Sequence, residues 1–279
     1  MHASSLYLLA LAALQGVTEL FPISSLGHSI LVPALLHWPL QRDAAWFLPF
    51  VVVLHLGTAT ALLLYFRRDW AALIGGWLRA RGGTGNPQAR LLWLLVVGSI
   101  PAGLLGLLLA HKIRALFGGF AFAALALIAN GVLLIAGDFW KNRSASTELA
   151  ALSWGRALGV GAAQALALIP GFSRSGATLV AGLGVGLDYE AAARFSFLLA
   201  TPIIAAAGLL EVPKLLHAGV PHAMLGAIGL AGLLSGACAW LSTWFLMRWF
   251  HGHEVRALRP FGAYCVIAGV AALLLQHVA

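Results

Sequence analysis

Long apolar runs, separated by short polar or basic connections, follow one another along most of this 279-residue chain. A bilayer core about 30 Å thick takes roughly 20 helical residues to cross, fewer where flanking side chains snorkel. Six runs meet that requirement: 46–66, 91–110, 115–137, 194–210, 223–247 and 261–277. Two other regions interrupt the pattern. Run 7–19 stops before Pro22 and Gly27, and run 29–36 beyond them is shorter still; 157–169, the break 170–176 and 177–187 repeat the arrangement. Each predicts two half-helices joined by a loop that enters the membrane and returns, a shape tolerated only where protein or a water-filled cavity satisfies the loop backbone. The expected fold is therefore all-α and polytopic, with six transmembrane helices plus two re-entrant broken-helix pairs.

Loop charges orient these elements, because short cytoplasmic connections carry the Lys and Arg excess. Placing the basic connection 67–90 inside puts Arg67, Arg68, Arg79, Arg81, Arg90, Lys141, Arg143, Arg156, Arg194, Arg248, Arg256 and Arg259 on that side. Only Arg42, Lys112, Arg114 and Lys214 fall outside, and Arg174 lies within the membrane. This threading makes the first broken pair enter from outside and the second from inside, the pattern of an inverted-topology repeat whose broken helices meet near the midplane. The repeat is expected over about 1–137 and 151–279, linked by 138–150, in a single membrane domain. Gln15 precedes Pro22 and Gln164 precedes Pro170 at similar spacing, and both prolines lead into Ser and Gly. Trp38, Trp46, Trp70, Trp77, Trp93, Trp140 and Trp249 fall near span ends, as interfacial tryptophans do.

Composition agrees: 61% hydrophobic, 9% charged and a mean hydropathy of +0.92 describe a polytopic membrane protein rather than a soluble enzyme. A formal charge of +8 could suggest nucleic acid on a soluble protein, but here the basic residues cluster at the ends of apolar runs and serve membrane orientation. No nucleic-acid partner is expected. Cys238 and Cys265 lie in apolar segments and read as small hydrophobes, not as a disulfide or thiolate site. The N-terminal run lacks a basic leader and is interrupted by Glu19, so no signal-peptide cleavage is expected.

Two charges stand alone in apolar sequence. Glu19 is the only formal charge in 1–41, and Arg174 the only one in 157–187; each adjoins a break rich in Pro, Gly and Ser. An ionisable side chain at the bilayer centre costs roughly 2.5–3.5 kcal/mol on the permissive insertion scale, so it marks a functional group with a partner. One acid and one base in matching breaks predict a shared site. Around Arg174, Gly171, Ser173, Ser175, Gly176 and Thr178 read as an anion cradle, because guanidinium, hydroxyls and half-helix N-termini suit phosphate oxygens. The first break supplies Glu19, able to hold a divalent cation, with Ser24, Ser25 as a nucleophile, and His28 as a base. Together these parts describe phosphoryl transfer.

Other polar residues have plainer readings. His55, inside a span, reads as a core histidine with satisfied nitrogens, and Asn130 as an interhelical hydrogen bond. The pair His251 and His253 has metal-ligand spacing but sits beside Arg248 at a membrane surface.

At its two breaks the chain resembles the undecaprenyl-diphosphate phosphatase family, integral-membrane enzymes associated with bacitracin resistance. The resemblance is carried by Gln15 to Glu19; by Pro22, Ser24, Ser25, Gly27 and His28; and by Pro170, Gly171, Ser173, Arg174, Ser175 and Thr178. Lesser echoes at Leu56-Gly57, Ile100-Pro101 and Arg194 to Leu199 extend it over nearly the whole chain. The resemblance implies hydrolysis of undecaprenyl diphosphate to the monophosphate lipid carrier used in cell-wall synthesis, dependence on Mg²⁺ or Ca²⁺, and a bacterial inner-membrane location with the site facing the periplasm. It also implies a polyprenyl diphosphate substrate among membrane lipids, and often a homodimer. By position it makes Glu19 the essential acid, Ser25 the nucleophile, His28 the base or acid and Arg174 the phosphate clamp; Glu19 is also the expected metal ligand, and Gln15, Ser24 and Gln164 complete the expected substrate-binding set. Many members have Glu where this chain has Gln15, leaving the site one negative charge short. Type 2 phosphatidic acid phosphatases need a histidine six residues after the arginine, and Val180 stands there. A transporter or lipid flippase is the competing reading, since inverted repeats and broken helices serve transport equally well.

Overall fold

A computed structural model describes residues 2–40, 44, 46–116, 119–139, 148–217, 222–252 and 256–276. Trp140, His253, Arg42, Lys141, Arg143 and most of the expected linker 138–150 lie outside the described residues. Among those described, all regular structure is helical: α1 His2–Leu20, α2 Ser25–Leu35, α3 Phe47–Tyr65, α4 Arg67–Arg79, α5 Pro87–Leu116, α6 Phe120–Gly137, α7 Trp154–Ala163, α8 Arg174–Gly184, α9 Tyr189–His217, α10 His222–Gly252 and α11 Arg259–Gln276. Five of these, α5, α6, α9, α10 and α11, are long and apolar enough to cross a membrane, and α3 with α4 passes the same test only when the bent pair is taken together. The protein is a polytopic, all-α membrane protein.

Several boundaries differ from the expected ones for identifiable reasons. The connection after Phe66 is not a loop: α4 continues the chain as an amphipathic helix turned 76° from α3. It buries Leu73 and Gly76 while Arg67, Arg68 and Arg79 are exposed. Asn86 then starts α5 by accepting from Ala89 N at 2.9 Å and donating to Gly76 O at 2.8 Å, with Pro87 at the first helical position. α5 runs on to Leu116, so α6 begins only at Phe120 rather than at 115. α9 begins at Tyr189, five residues before the expected start, because the preceding Asp188 caps it by accepting from Ala191 N at 2.7 Å.

Both breaks exist as helix interruptions. α1 ends at Leu20 and α2 begins at Ser25; α7 ends at Ala163, passes through a 3₁₀ turn, Gln164–Leu168, and resumes as α8 at Arg174. The side chain of Ser24 caps α2 by accepting from Gly27 N, and that of Ser173 caps α8 by accepting from Gly176 N, each at 3.1 Å.

Around the breaks, α1 and α3 pack on α10, α3 also on α9, α6 on α11, and α5 on α7. Leucines on the outer faces, such as Leu107, Leu108, Leu209 and Leu233, are exposed, while Gln15, Glu19, His28, Asn130, Ser175 and Thr178 are buried. That polar-inside distribution suits a molecule surrounded by lipid. Small residues let the helices close up: a Cβ on Gly57 would run into the Gly232 carbonyl. Gly57→Val should therefore cost about 1–3 kcal/mol by overpacking the α3/α10 contact, read as a lower unfolding temperature in detergent.

Candidate active site

Glu19, the penultimate residue of α1, is 7% exposed, and its carboxylate is the point on which four helices converge. Oε1 accepts from Arg174 Nη2 at 3.0 Å. Oε2 accepts from Ser25 Oγ at 2.5 Å and from Gln15 Nε2 at 3.2 Å, and faces His55 Nε2 at 3.2 Å. Ser25 and Arg174 are the first residues of α2 and α8, so the positive ends of both half-helices meet at this carboxylate. The two stranded charges, 155 residues apart in the chain, are in direct contact.

The breaks touch through small residues and shared hydrogen bonds. A Cβ on Gly27 would lie 3.1 Å from Gly171 Cα; Gly171 itself has φ +106° and no room for a side chain beside the Ala123 carbonyl. Asn130 of α6 joins the breaks: Nδ2 donates to Pro22 O at 3.0 Å, and Oδ1 accepts from Ser173 N at 3.0 Å. Ser175 adds a second bridge by donating to Phe21 O at 3.2 Å. Asn130 makes the expected interhelical bond to Cys265 Sγ of α11, at 3.4 Å, but both ends of its amide also serve the backbone of a break, which hydropathy does not reveal.

The remaining expected site residues divide into those at the centre and those that support it. Ser24 holds φ +69°, in the left-handed region costly for a side chain that is not glycine, and is locked there by its cap to Gly27. Ser173 Oγ and Ser175 Oγ are 3.0 Å apart, and Gly176 packs against Asn130. Thr178 donates to Arg174 O at 2.8 Å and shares a hydrogen bond with Ser196 Oγ at 2.6 Å, tying α8 to α9. Gln164 is buried in the 3₁₀ turn, and neither its Oε1 nor its Nε2 has a hydrogen-bond partner among the described residues. His28 is turned from Ser25: Nδ1 donates to Ser24 O at 2.7 Å, and Nε2 pairs with Tyr264 OH at 2.8 Å. The group within hydrogen-bond reach of the Ser25 hydroxyl is Glu19.

His55 corrects its sequence reading. One nitrogen is satisfied as expected, Nδ1 donating to Val51 O at 2.8 Å within α3. The other lies on Glu19, because packing of α3 against α1 and α10 brings the imidazole to the site. No periodicity in α3 distinguishes that residue; its only signal is a polar group in an apolar run. At the surface, His251 pairs with Glu190 at 2.6 Å, and no cluster of three or more metal-ligating His, Cys, Asp or Glu side chains occurs among the described residues.

The family model described as "Bacitracin resistance protein BacA" matches residues 8–271. A relative from Chromobacterium violaceum named "Undecaprenyl-diphosphatase 2" is 59% identical over 270 residues, covering 97% of this chain and 98% of its own. "Undecaprenyl-diphosphatase" of Acidiphilium cryptum is 51% identical, covering 95% of each chain, and "Undecaprenyl-diphosphatase 2" of Burkholderia thailandensis is 52% identical over 264 residues.

Replacing Asn130 by Ala leaves Pro22 O and Ser173 N buried without their amide partner, at roughly 1–3 kcal/mol for each group. Asn130→Ala is expected to lower thermal stability and activity together, whereas an outer-face change such as Leu233→Ala should alter neither.

Proposed function

Because the chain belongs to the family described as bacitracin resistance protein BacA, with close relatives named undecaprenyl-diphosphatases, we propose that it hydrolyses undecaprenyl diphosphate to undecaprenyl phosphate and inorganic phosphate. The reaction returns the lipid carrier to cell-wall synthesis, and by lowering the amount of diphosphate lipid it confers bacitracin resistance. The observation that carries this reading is one buried carboxylate in contact with a hydroxyl at 2.5 Å and a guanidinium at 3.0 Å.

In the proposed reaction, Arg174 keeps one arm on Glu19 and offers its other donors to the terminal phosphate, oriented by the Ser173, Ser175 and Gly176 turn. The Ser25 hydroxyl passes its proton to Glu19 Oε2 as its oxygen attacks the terminal phosphorus. The bond to the bridging oxygen breaks, and undecaprenyl phosphate leaves. Water then attacks the phosphoserine, freeing phosphate and returning the proton to Ser25. His28, engaged with Ser24 O and Tyr264, sets the N-terminus of α2 and hence the position of Ser25. In this reading the centre faces the periplasmic side of the inner membrane, an orientation that the distribution of loop charges supports.

The donor set accommodates Mg²⁺ or Ca²⁺ in a limited way. Gln15 Oε1 is a buried carbonyl oxygen with no partner among the described residues, adjacent to Glu19. Hard cations take such oxygens, and Mg²⁺ commonly uses one or two carboxylates plus substrate phosphates. Gln15 and Glu19 would be the protein's share, with the diphosphate supplying the rest. When bound, the cation would neutralise charge on the diphosphate.

Ser25→Ala is expected to lower phosphate release from a polyprenyl diphosphate on the order of 10³-fold while lipid binding stays measurable. Glu19→Ala and Arg174→Ala should each be similarly inactive; full activity in both would overturn the site. Chelation with EDTA should suppress turnover, and Gln15→Glu should lower the Mg²⁺ or Ca²⁺ concentration needed for half-activation, checked by direct Mn²⁺ binding to the purified protein.

A further inference from the structure

Among the described residues, His55 is the one side chain on Glu19 to which neither break motif points. A histidine that merely fills a helical core spends both nitrogens on structure. This one spends Nδ1 on its own helix, donating to Val51 O at 2.8 Å, and that bond fixes the ring plane. Nε2 is left aimed at Glu19 Oε2, 3.2 Å away, and with Nδ1 already donating it serves as a donor there as the second N–H of an imidazolium. The same oxygen takes the hydroxyl of Ser25 at 2.5 Å, while Arg174 holds the opposite oxygen.

Geometry gives this contact a consequence. A carboxylate beside a guanidinium tends toward a bidentate pair, in which both oxygens face the arginine. Such a rotation would take Oε2 from Ser25. Gln15 opposes it with one amide bond of 3.2 Å, and His55 opposes it with a ring anchored to backbone. We propose that His55 is a positioning residue of the phosphatase site: it holds Glu19 Oε2 on Ser25 against the pull of Arg174. The inference rests on the phosphatase reading above and adds a residue to that site. In this role His55 acts through Glu19 rather than on the phosphate or the nucleophile.

The test compares His55→Leu, which keeps bulk without a donor, His55→Asn, whose amide is too short to reach Glu19, and His55→Gln, whose amide can donate from about the same place. The purified full-length variants are assayed for phosphate release from a polyprenyl diphosphate, with kcat and KM measured separately and folding checked by thermal unfolding. Loss of one hydrogen bond to a charged group corresponds to about 10- to 100-fold in rate. That loss is expected in kcat for His55→Leu and His55→Asn, with KM within about twofold, because orientation rather than lipid binding is removed. His55→Gln should retain activity within about fivefold of the unaltered protein. If His55→Leu fails to fold, His55→Asn and His55→Gln carry the comparison. Unchanged kcat in the donor-lacking variants, or a His55→Gln variant as impaired as they are, would overturn the assignment while leaving the phosphatase reading intact. An unaltered protein that releases no phosphate would overturn that reading and this inference with it.

Discussion

A carboxylate removed from water has to be surrounded by donors, and the arrangement of this protein's centre follows from satisfying one such group. Glu19 takes hydrogen bonds or close contacts from α1, α2, α3 and α8. An isolated buried ion costs several kcal/mol, and removing one partner of a buried pair typically costs about 3–5 kcal/mol. Four helices are thereby committed to relative positions that hydrophobic contact alone would not specify, since lipid is as apolar as the helix faces it competes with. The same commitment places a nucleophile and a cationic clamp on opposite oxygens of one acid.

Interrupting a helix inside a membrane exposes backbone groups that have no water to turn to. The two breaks satisfy one another. Ser24 and Ser173 cap the resumed helices, Ser175 donates across to Phe21 O, and the Asn130 amide divides its two ends between Pro22 and Ser173. Most hydroxyls of the cradle are thus bound to backbone, which is their packing role. The strained φ of Ser24 is held by its own cap and by the His28 ring on its carbonyl.

Much of this was readable from pattern. Charges stranded in apolar sequence, each beside Pro, Gly and Ser, exposed both breaks and predicted that Glu19 and Arg174 share a site, because a buried charge needs a partner. What was not readable depends on packing. His55 and Val51 stand at the ordinary i−4 spacing of any helical histidine, so nothing local marks the second nitrogen. His28 lies three residues beyond Ser25, close enough in sequence to suggest a base, but its ring is captured by Ser24 O and by Tyr264 from α11. The 76° turn after Phe66 was hidden for the opposite reason: the basic content that marks a surface connection is equally that of a surface-lying helix.

Because one amide reads both breaks, the two halves of this chain are not interchangeable parts. A segment carrying the Pro22 turn and another carrying the Ser173 turn must both suit the same Asn130. Recombination between diverged relatives that separates them would therefore be filtered at this residue, even where every reactive side chain is retained. A change in either turn is therefore felt at the other through one shared amide, so the two motifs form a single unit of variation across the bundle.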